Sequence, residues 1–88
     1  MENIDTDVGE YIKRARSLRG LSQESLAELA DINATTVWGL ETGKHVPRPV
    51  TLRRLARGLG IEVSDIVTGN YEALSGRAVG KGLALATQ

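Results

Sequence analysis

The sequence predicts a small all-α domain of five short helices. Apolar residues recur at helical spacing, residues that begin or end helices separate these segments at short intervals, and no strand-like alternation occurs before residue 69. The 88 residues are enough for one domain with a single core. Because the chain contains no Phe and only one Trp, that core must be built from Leu, Ile, Val and Ala.

The first two helices are predicted from their caps. Asp7 and Glu10 have the spacing of a capping box, which predicts the start of helix one, and Gly20 is placed to end it with a left-handed residue. The inward face of this helix is Val8, Ile12 and Ala15. Ser22 is placed to cap helix two. Its inward residues are Leu26, Ala27, Leu29 and Ala30.

Three more helices follow after short connections. Asn33 can cap helix three and Gly43 ends it, Pro49 suits the first turn of helix four and Gly60 ends that, and Ser64 caps a short helix five. The inward residues are Val37 and Leu40 in helix three, and Leu52, Leu55, Ala56 and Leu59 in helix four; helix five carries Ile66 and Val67.

The last twenty residues differ in composition from the rest. Four glycines interrupt the apolar residues of 69–88, which weakens any helix there. We therefore divide the chain into a helical domain, 1–68, and a Gly/Ala-rich C-terminal tail, 69–88. This tail is either a segment used in subunit contact or a loosely ordered end.

The charges cancel in total but are grouped along the chain. The formal net charge is zero, yet residues 44–57 carry five bases and no acid, and residues 11–19 carry four bases. Blocks of this kind can create a basic face on a neutral molecule, although solvated helix surfaces would give the same pattern.

Several classes of protein are excluded by what the sequence lacks. It has no Cys and a single His, so disulfides and thiolate metal sites are excluded. It has no nucleophile motif, phosphate-binding loop or metal-ligand cluster, so we expect neither an enzyme nor a cofactor. No apolar run approaches the roughly 20 residues of a membrane span, and the acidic N-terminus is unlike a signal peptide. A cytoplasmic protein without membrane contact is the expectation.

Helices two and three predict a helix-turn-helix, at about residues 22–42. Two short helices joined by a tight turn are what this motif requires, so that the second can enter a major groove of DNA. Ala27 and Ala30 are small where the second helix must approach the third.

Several motifs together resemble the lambda-repressor-like family, also called the XRE family. They are Leu21-Ser22-Gln23-x-x-Leu26-Ala27, Val37-x-x-Leu40-Glu41-x-Gly43-Lys44, Pro47, and Leu52-x-x-Leu55-Ala56-x-x-Leu59-Gly60-Ile61. The resemblance covers about residues 7–68. It implies a compact five-helix lambda-repressor-like fold and binding to double-stranded DNA.

The resemblance also implies roles for individual residues. Arg16 and Glu41 occupy the positions of a buried ion pair between the first and third helices. Base contacts are expected from Asn33, Ala34, Thr35, Trp38 and Gly39. Phosphate contacts are expected from Gln23, Thr42, Lys44, His45 and Arg48. Asp31 stands where the family usually has Gly, and Asp tolerates a left-handed turn.

Some of these residues have alternative interpretations. Trp38 can contact a thymine methyl or sugar edge, pack against a neighbouring helix, or bind a protein partner. Asn33 can act as a helix cap, and His45 can be a solvated loop residue. Helix four carries three further bases, Arg53, Arg54 and Arg57, which can be solvated, form salt bridges or contact the DNA backbone.

The functional hypothesis is a sequence-specific transcriptional regulator, and the family's commoner mode is repression. It would act as a homodimer on a roughly palindromic operator with half-sites ~34 Å apart. Few long polar side chains lie on the predicted contact face, so DNA shape would supplement direct contacts. The alternative is an antitoxin-like or adaptor module that binds another protein, which would suit the neutral charge, Trp38 and the tail.

Overall fold

The computed structural model describes residues 4–75, and the regular secondary structure within that range is entirely helical. The α-helices are α1 (Ile4–Leu18), α2 (Gln23–Ala30), α3 (Ala34–Glu41), α4 (Pro49–Leu59) and α5 (Val63–Thr68), and a short 3-10 helix, Tyr71–Leu74, follows. The prediction of a five-helix all-α domain is therefore confirmed. Within the described range, no helix has the length and apolar character needed to cross a membrane.

Two of the predicted helix starts are wrong. α1 begins at Ile4, so Asp7 lies inside it and does not cap it. α5 begins two residues earlier than predicted: Glu62 is its cap, and the Glu62 and Asp65 side chains each accept a hydrogen bond from the other's backbone, as in a capping box. The predicted cap of α2 is present, since the Ser22 hydroxyl accepts a hydrogen bond from the Ser25 N–H at 3.0 Å.

The core is apolar and draws on all five helices. Every buried side chain counted in it is hydrophobic, and the largest of these include Tyr11, Ile12, Leu26, Leu40, Leu55 and Ile66. The sequence did not place Tyr11 in the core, yet it is fully buried. The prediction that Leu29 faces inwards is wrong, because its side chain is 54% exposed at the end of α2.

A glycine brings α1 directly onto the backbone of α3. A Cβ atom at Gly9 would collide with the carbonyl oxygen of Leu40 and crowd the Cα of Glu41. The missing side chain lets the two helices approach more closely than other residues would allow. The position of α3 is thus set by backbone contact with α1.

Part of the predicted tail packs against the helical domain. Leu74 is 3% exposed, and the Tyr11 hydroxyl donates a hydrogen bond to the Asn70 carbonyl at 3.0 Å. The Tyr71 ring lies 5.0 Å from the Tyr11 ring, with the Arg14 guanidinium 4.9 Å from its centroid. The folded unit therefore extends beyond residue 68, and the remainder of the predicted tail, 76–88, lies outside the described residues.

Burial and the nearby Asp65 raise the pKa of Tyr11 to about 12. The folded protein therefore holds the phenol proton to a higher pH than the unfolded chain, whose tyrosines ionise near pH 10. This contribution to stability is complete below pH 10 and is lost as the pH rises towards 12. Tyr11→Phe should flatten that decline and cost about 1 kcal/mol at pH 7 through the lost hydrogen bond.

Urea unfolding between pH 7 and 11.5 measures this effect, with Tyr71→Phe as the matched control. The Tyr71 hydroxyl makes no hydrogen bond in the described part of the chain and has the smallest of the effects that raise the pKa of Tyr11, so removing it should change the alkaline decline far less than Tyr11→Phe does. An identical alkaline decline in wild type and Tyr11→Phe would show that another group is responsible.

Candidate nucleic-acid interface

A buried carboxylate joins three helices behind the helix-turn-helix. Glu41, at the end of α3, has a side chain only 3% exposed. It accepts hydrogen bonds from Arg16 of α1, Nε to Oε2 at 2.7 Å and Nη2 to Oε1 at 3.1 Å, and from Gln23 Nε2 of α2 at 3.0 Å. The hydrogen bonds to Glu41 raise the pKa of the Arg16 guanidinium above its ordinary value. These contacts fix α3 relative to both neighbouring helices.

Arg16 also braces the chain between α1 and α2. Its Nη1 donates to the Leu21 carbonyl at 2.8 Å. All three guanidinium nitrogens are therefore used in positioning backbone and carboxylate groups. This multidentate geometry is specific to Arg, because the ammonium of Lys could not make the same set of bonds.

The turn between α2 and α3 rests on a left-handed aspartate. Asp31 has φ 59° and ψ 48°, a conformation that Asp tolerates and most residues avoid. Arg54 of α4 donates from Nη1 to the Asp31 carbonyl at 3.0 Å. Arg54 thus holds the turn, a role that the sequence did not reveal because 23 residues separate the two groups.

The two faces of α3 are those expected from its apolar spacing. Val37 and Leu40 are buried at 0% and 2% exposure, whereas Trp38 is 43% exposed. Thr35 and Thr42 are also exposed, and Ala34 is half-buried. The face available to a groove of DNA thus combines one aromatic ring with small polar and apolar groups.

Asn33 stands at the start of α3 without capping it. Its backbone is extended, as in an N-cap residue, but its side chain makes no capping hydrogen bond. The exposed amide is therefore available to an external partner. The expectation that Asn33 caps α3 through its side chain is wrong.

Gly39, from which a base contact is expected, does not lie on the exposed face of α3. Gly39 is buried, and the imidazole of His45 occupies the space in which a Cβ atom would lie. The Gly39 carbonyl accepts hydrogen bonds from the N–H groups of Lys44 at 2.8 Å and His45 at 3.0 Å. The loop after α3 folds back over this helix and covers it at Gly39.

The Thr42 hydroxyl is already engaged within α3. It donates to the Trp38 carbonyl at 2.9 Å, and the Gly39 carbonyl lies 3.3 Å away. Since a hydroxyl has one proton to donate, Thr42 has none left for a phosphate in this conformation.

A basic cleft lies between the end of α3 and the start of α4. It encloses about 470 Å³ and is lined by Thr36, Leu40, Lys44, His45, Val46, Arg48 and Thr51. No acidic side chain lines it, and neither Lys44 nor Arg48 forms an ion pair with a described carboxylate. Lys44 and Arg48 therefore present positive charge that no carboxylate of the described chain neutralises.

Lys44 joins this cleft to the exposed face of α3. Its Nζ lies 5.9 Å from the centroid of the Trp38 ring, within the range of a cation–π contact. Among the predicted site residues, Trp38, Thr42, Lys44 and His45 thus meet at the C-terminal end of α3. Gln23 contacts Glu41, the last residue of the same helix.

Comparison with known proteins gives a consistent result. A family profile described as a helix-turn-helix domain matches residues 7–68. The immunity repressor protein of Bacillus phage phi105 is 40% identical over 60 residues, which is 68% of this chain and 42% of the repressor. This chain therefore corresponds to about two-fifths of that repressor's length.

Two controller proteins are similar over most of their own length. Control protein C.MunI from Mycoplasma sp is 34% identical over 67 residues, covering 75% of this chain and 90% of the relative. The crystal structure of the restriction-modification controller protein C.AhdI from Aeromonas hydrophila matches with a TM-score of 0.68 and 32% identity. That match covers 70% of this chain and 94% of the controller protein.

Proposed function

Because the chain belongs to the lambda-repressor-like family of helix-turn-helix transcriptional regulators, we propose that it binds double-stranded DNA sequence-specifically and represses transcription. The observation that carries this proposal is the orientation of α3. Val37 and Leu40 anchor this helix in the core, while Thr35 and Trp38 face solvent. An immunity repressor and two controller proteins among the relatives support a regulatory role.

Base discrimination is assigned to the exposed face at the start and middle of α3. The amide of Asn33, free of any capping bond, can make the bidentate contact with adenine for which Asn is suited. Thr35 offers one hydrogen bond and a methyl group, and Ala34 a methyl group. Trp38 offers an apolar surface to a thymine methyl or a sugar.

Phosphate contacts are assigned mainly to the basic cleft. Lys44 and Arg48 have no carboxylate partner in the described chain, and His45 lies beside them. Gln23 uses one amide proton on Glu41 and keeps a second for a phosphate. Thr42 could contact a phosphate only if its hydroxyl broke the hydrogen bond to the Trp38 carbonyl, so we expect it to contribute least to phosphate binding.

A homodimer on a roughly palindromic operator completes the proposal. Two recognition helices related by a two-fold axis would enter successive major grooves ~34 Å apart. Such a regulator would work in the cytoplasm. Direct contacts from one Asn and one Thr are few, so sequence-dependent DNA shape would add to specificity.

Selection of binding sites from random duplex DNA at moderate salt tests this function. We expect a symmetric motif with half-sites about one helical turn apart, and an affinity that falls steeply with salt. Failure to retain any DNA, together with salt-insensitive binding of another protein, would contradict the proposal and favour the antitoxin-like or adaptor alternative.

Two substitutions then separate base contact from phosphate contact on the selected site. Thr35→Ala should relax preference at one base position and leave the salt dependence unchanged. Lys44→Ala should weaken binding to all sequences alike and reduce the slope of log affinity against log salt by about 0.9 per subunit, which is about 1.8 for the dimer. Binding measured on the selected site, single-base variants and unrelated duplex would show the difference. If both variants lose affinity equally on every duplex, the assigned contact face is wrong.

A further inference from the structure

The contact between Gly39 and His45 is the feature that the proposed function leaves unexplained. Gly39 lies inside an eight-residue helix, where glycine is less favourable than alanine. Its φ is not among the positive values found at Gly20, Gly43, Gly60 and Gly69, so the backbone conformation does not require glycine. Within the described residues, what a Cβ atom at this position would meet is the imidazole of His45, which occupies the side-chain space.

The same contact determines where the basic loop begins. His45 as a whole is exposed, but one part of its ring covers the buried Gly39. The N–H groups of Lys44 and His45 both donate to the Gly39 carbonyl. The backbone of Lys44 is therefore held at the C-terminal end of α3, and its ammonium lies 5.9 Å from the centroid of the Trp38 ring.

We propose that His45 is a positioning residue, whose ring is seated on Gly39 and thereby holds Lys44 over Trp38 at the edge of the DNA-contact face. His45 then acts on DNA through Lys44, in place of the direct phosphate contact expected from the sequence. Gly39 acts by leaving room for the ring, in place of the predicted base contact. The part of this inference that concerns DNA rests on the proposed function, whereas the geometry of Lys44 and Trp38 does not.

The free protein provides the first test, because Trp38 is the only tryptophan in the chain. Collisional quenching of its fluorescence by acrylamide reports how well Lys44 covers the ring. We expect Lys44→Ala to raise the quenching constant, and Gly39→Ala to raise it to the same level by displacing the imidazole and loosening the loop. In a protein that already carries Lys44→Ala, the further substitution Gly39→Ala should not raise the quenching constant again.

The second test is a double-mutant cycle of Gly39→Ala and His45→Ala on selected duplex DNA. Each single variant should lower the affinity to that of Lys44→Ala and reduce the salt slope by the same amount, about 0.9 per subunit and about 1.8 for the dimer. The double variant should lose no more affinity than either single variant. Far-UV circular dichroism and the thermal midpoint monitor folding. The double variant should have a higher midpoint than His45→Ala alone, because alanine favours the helix once the ring is gone.

The outcomes are distinct. Unchanged quenching and unchanged salt slope in Gly39→Ala would overturn the inference. So would additive losses of affinity in the cycle, since these indicate that DNA approaches Gly39 directly while His45 contacts phosphate independently. If the wild-type protein binds no duplex, the proposed function fails, and the quenching measurements still decide whether His45 positions Lys44.

Discussion

Glu41→Ala is expected to lower the free energy of unfolding by about 3–5 kcal/mol, the range for breaking a buried ion pair on one side. The substitution leaves the Arg16 guanidinium without its carboxylate and removes the acceptor of the Gln23 amide. It also releases the end of α3 from α1 and α2, so DNA affinity should fall with stability. Urea unfolding followed by circular dichroism measures the first effect.

Two further variants identify the cause. Glu28→Ala removes an exposed carboxylate with no ion pair in the described chain, and should change stability by less than about 0.5 kcal/mol. Replacing both members of the pair, as in Arg16→Met with Glu41→Leu, should cost much less than Glu41→Ala alone, because no buried charge is then left without a partner. Equal losses of stability in all three proteins would show that the Glu41 carboxylate does not hold the three helices together.

Leu74→Ala is expected to destabilise the protein by about 2–5 kcal/mol, the range for truncating a buried leucine. Leu74 lies in the 3-10 helix beyond the predicted domain boundary, but it is 3% exposed. Its removal would leave a void beside α1 that the short segment can only partly close. The free energy of unfolding in urea, with the slope of the transition, is the measurement.

Val67→Ala is the matched control, because this side chain is 52% exposed and its loss should cost little. A chain ending at Thr68 should lose at least as much stability as Leu74→Ala, since it also lacks the carbonyl of Asn70 that binds Tyr11. Full stability of that truncated chain would contradict the packing of Tyr71–Leu74 against the domain.

The sequence was sufficient to predict the helices, but not all of their ends. Apolar residues at helical spacing identify each helix because each packs one face against the core. Caps are harder to assign, since capping side chains such as Asp7 or Ser64 are equally compatible with the interior of a helix. Leu29 illustrates a related problem: in a helix of eight residues, one apolar side chain too many can be assigned to the inward face.

The candidate site was predictable where it depends on one helix and not where it depends on distant parts of the chain. The spacing of Val37 and Leu40 was enough to place Thr35 and Trp38 outside. The burial of Gly39 depends on the loop that folds back from residue 43, and no helical periodicity contains that information. The hydrogen bonds of Arg54 to Asp31 and of Tyr11 to Asn70 likewise join residues far apart in the sequence, and no local sequence pattern predicts them.

The close contact at Gly9 affects how the protein and a DNA duplex would adapt to each other on binding. α1 rests on the main chain of α3 at Leu40, and the Glu41 side chain is bonded to α1 and α2 at the same end of the helix, so the recognition helix has little freedom to roll or slide there. Docking would then be close to rigid-body on the protein side, apart from the side chains at the contact. The deformation needed for a close fit, by bending or by a change in groove width, would then occur in the DNA duplex. Operators that deform easily would be favoured.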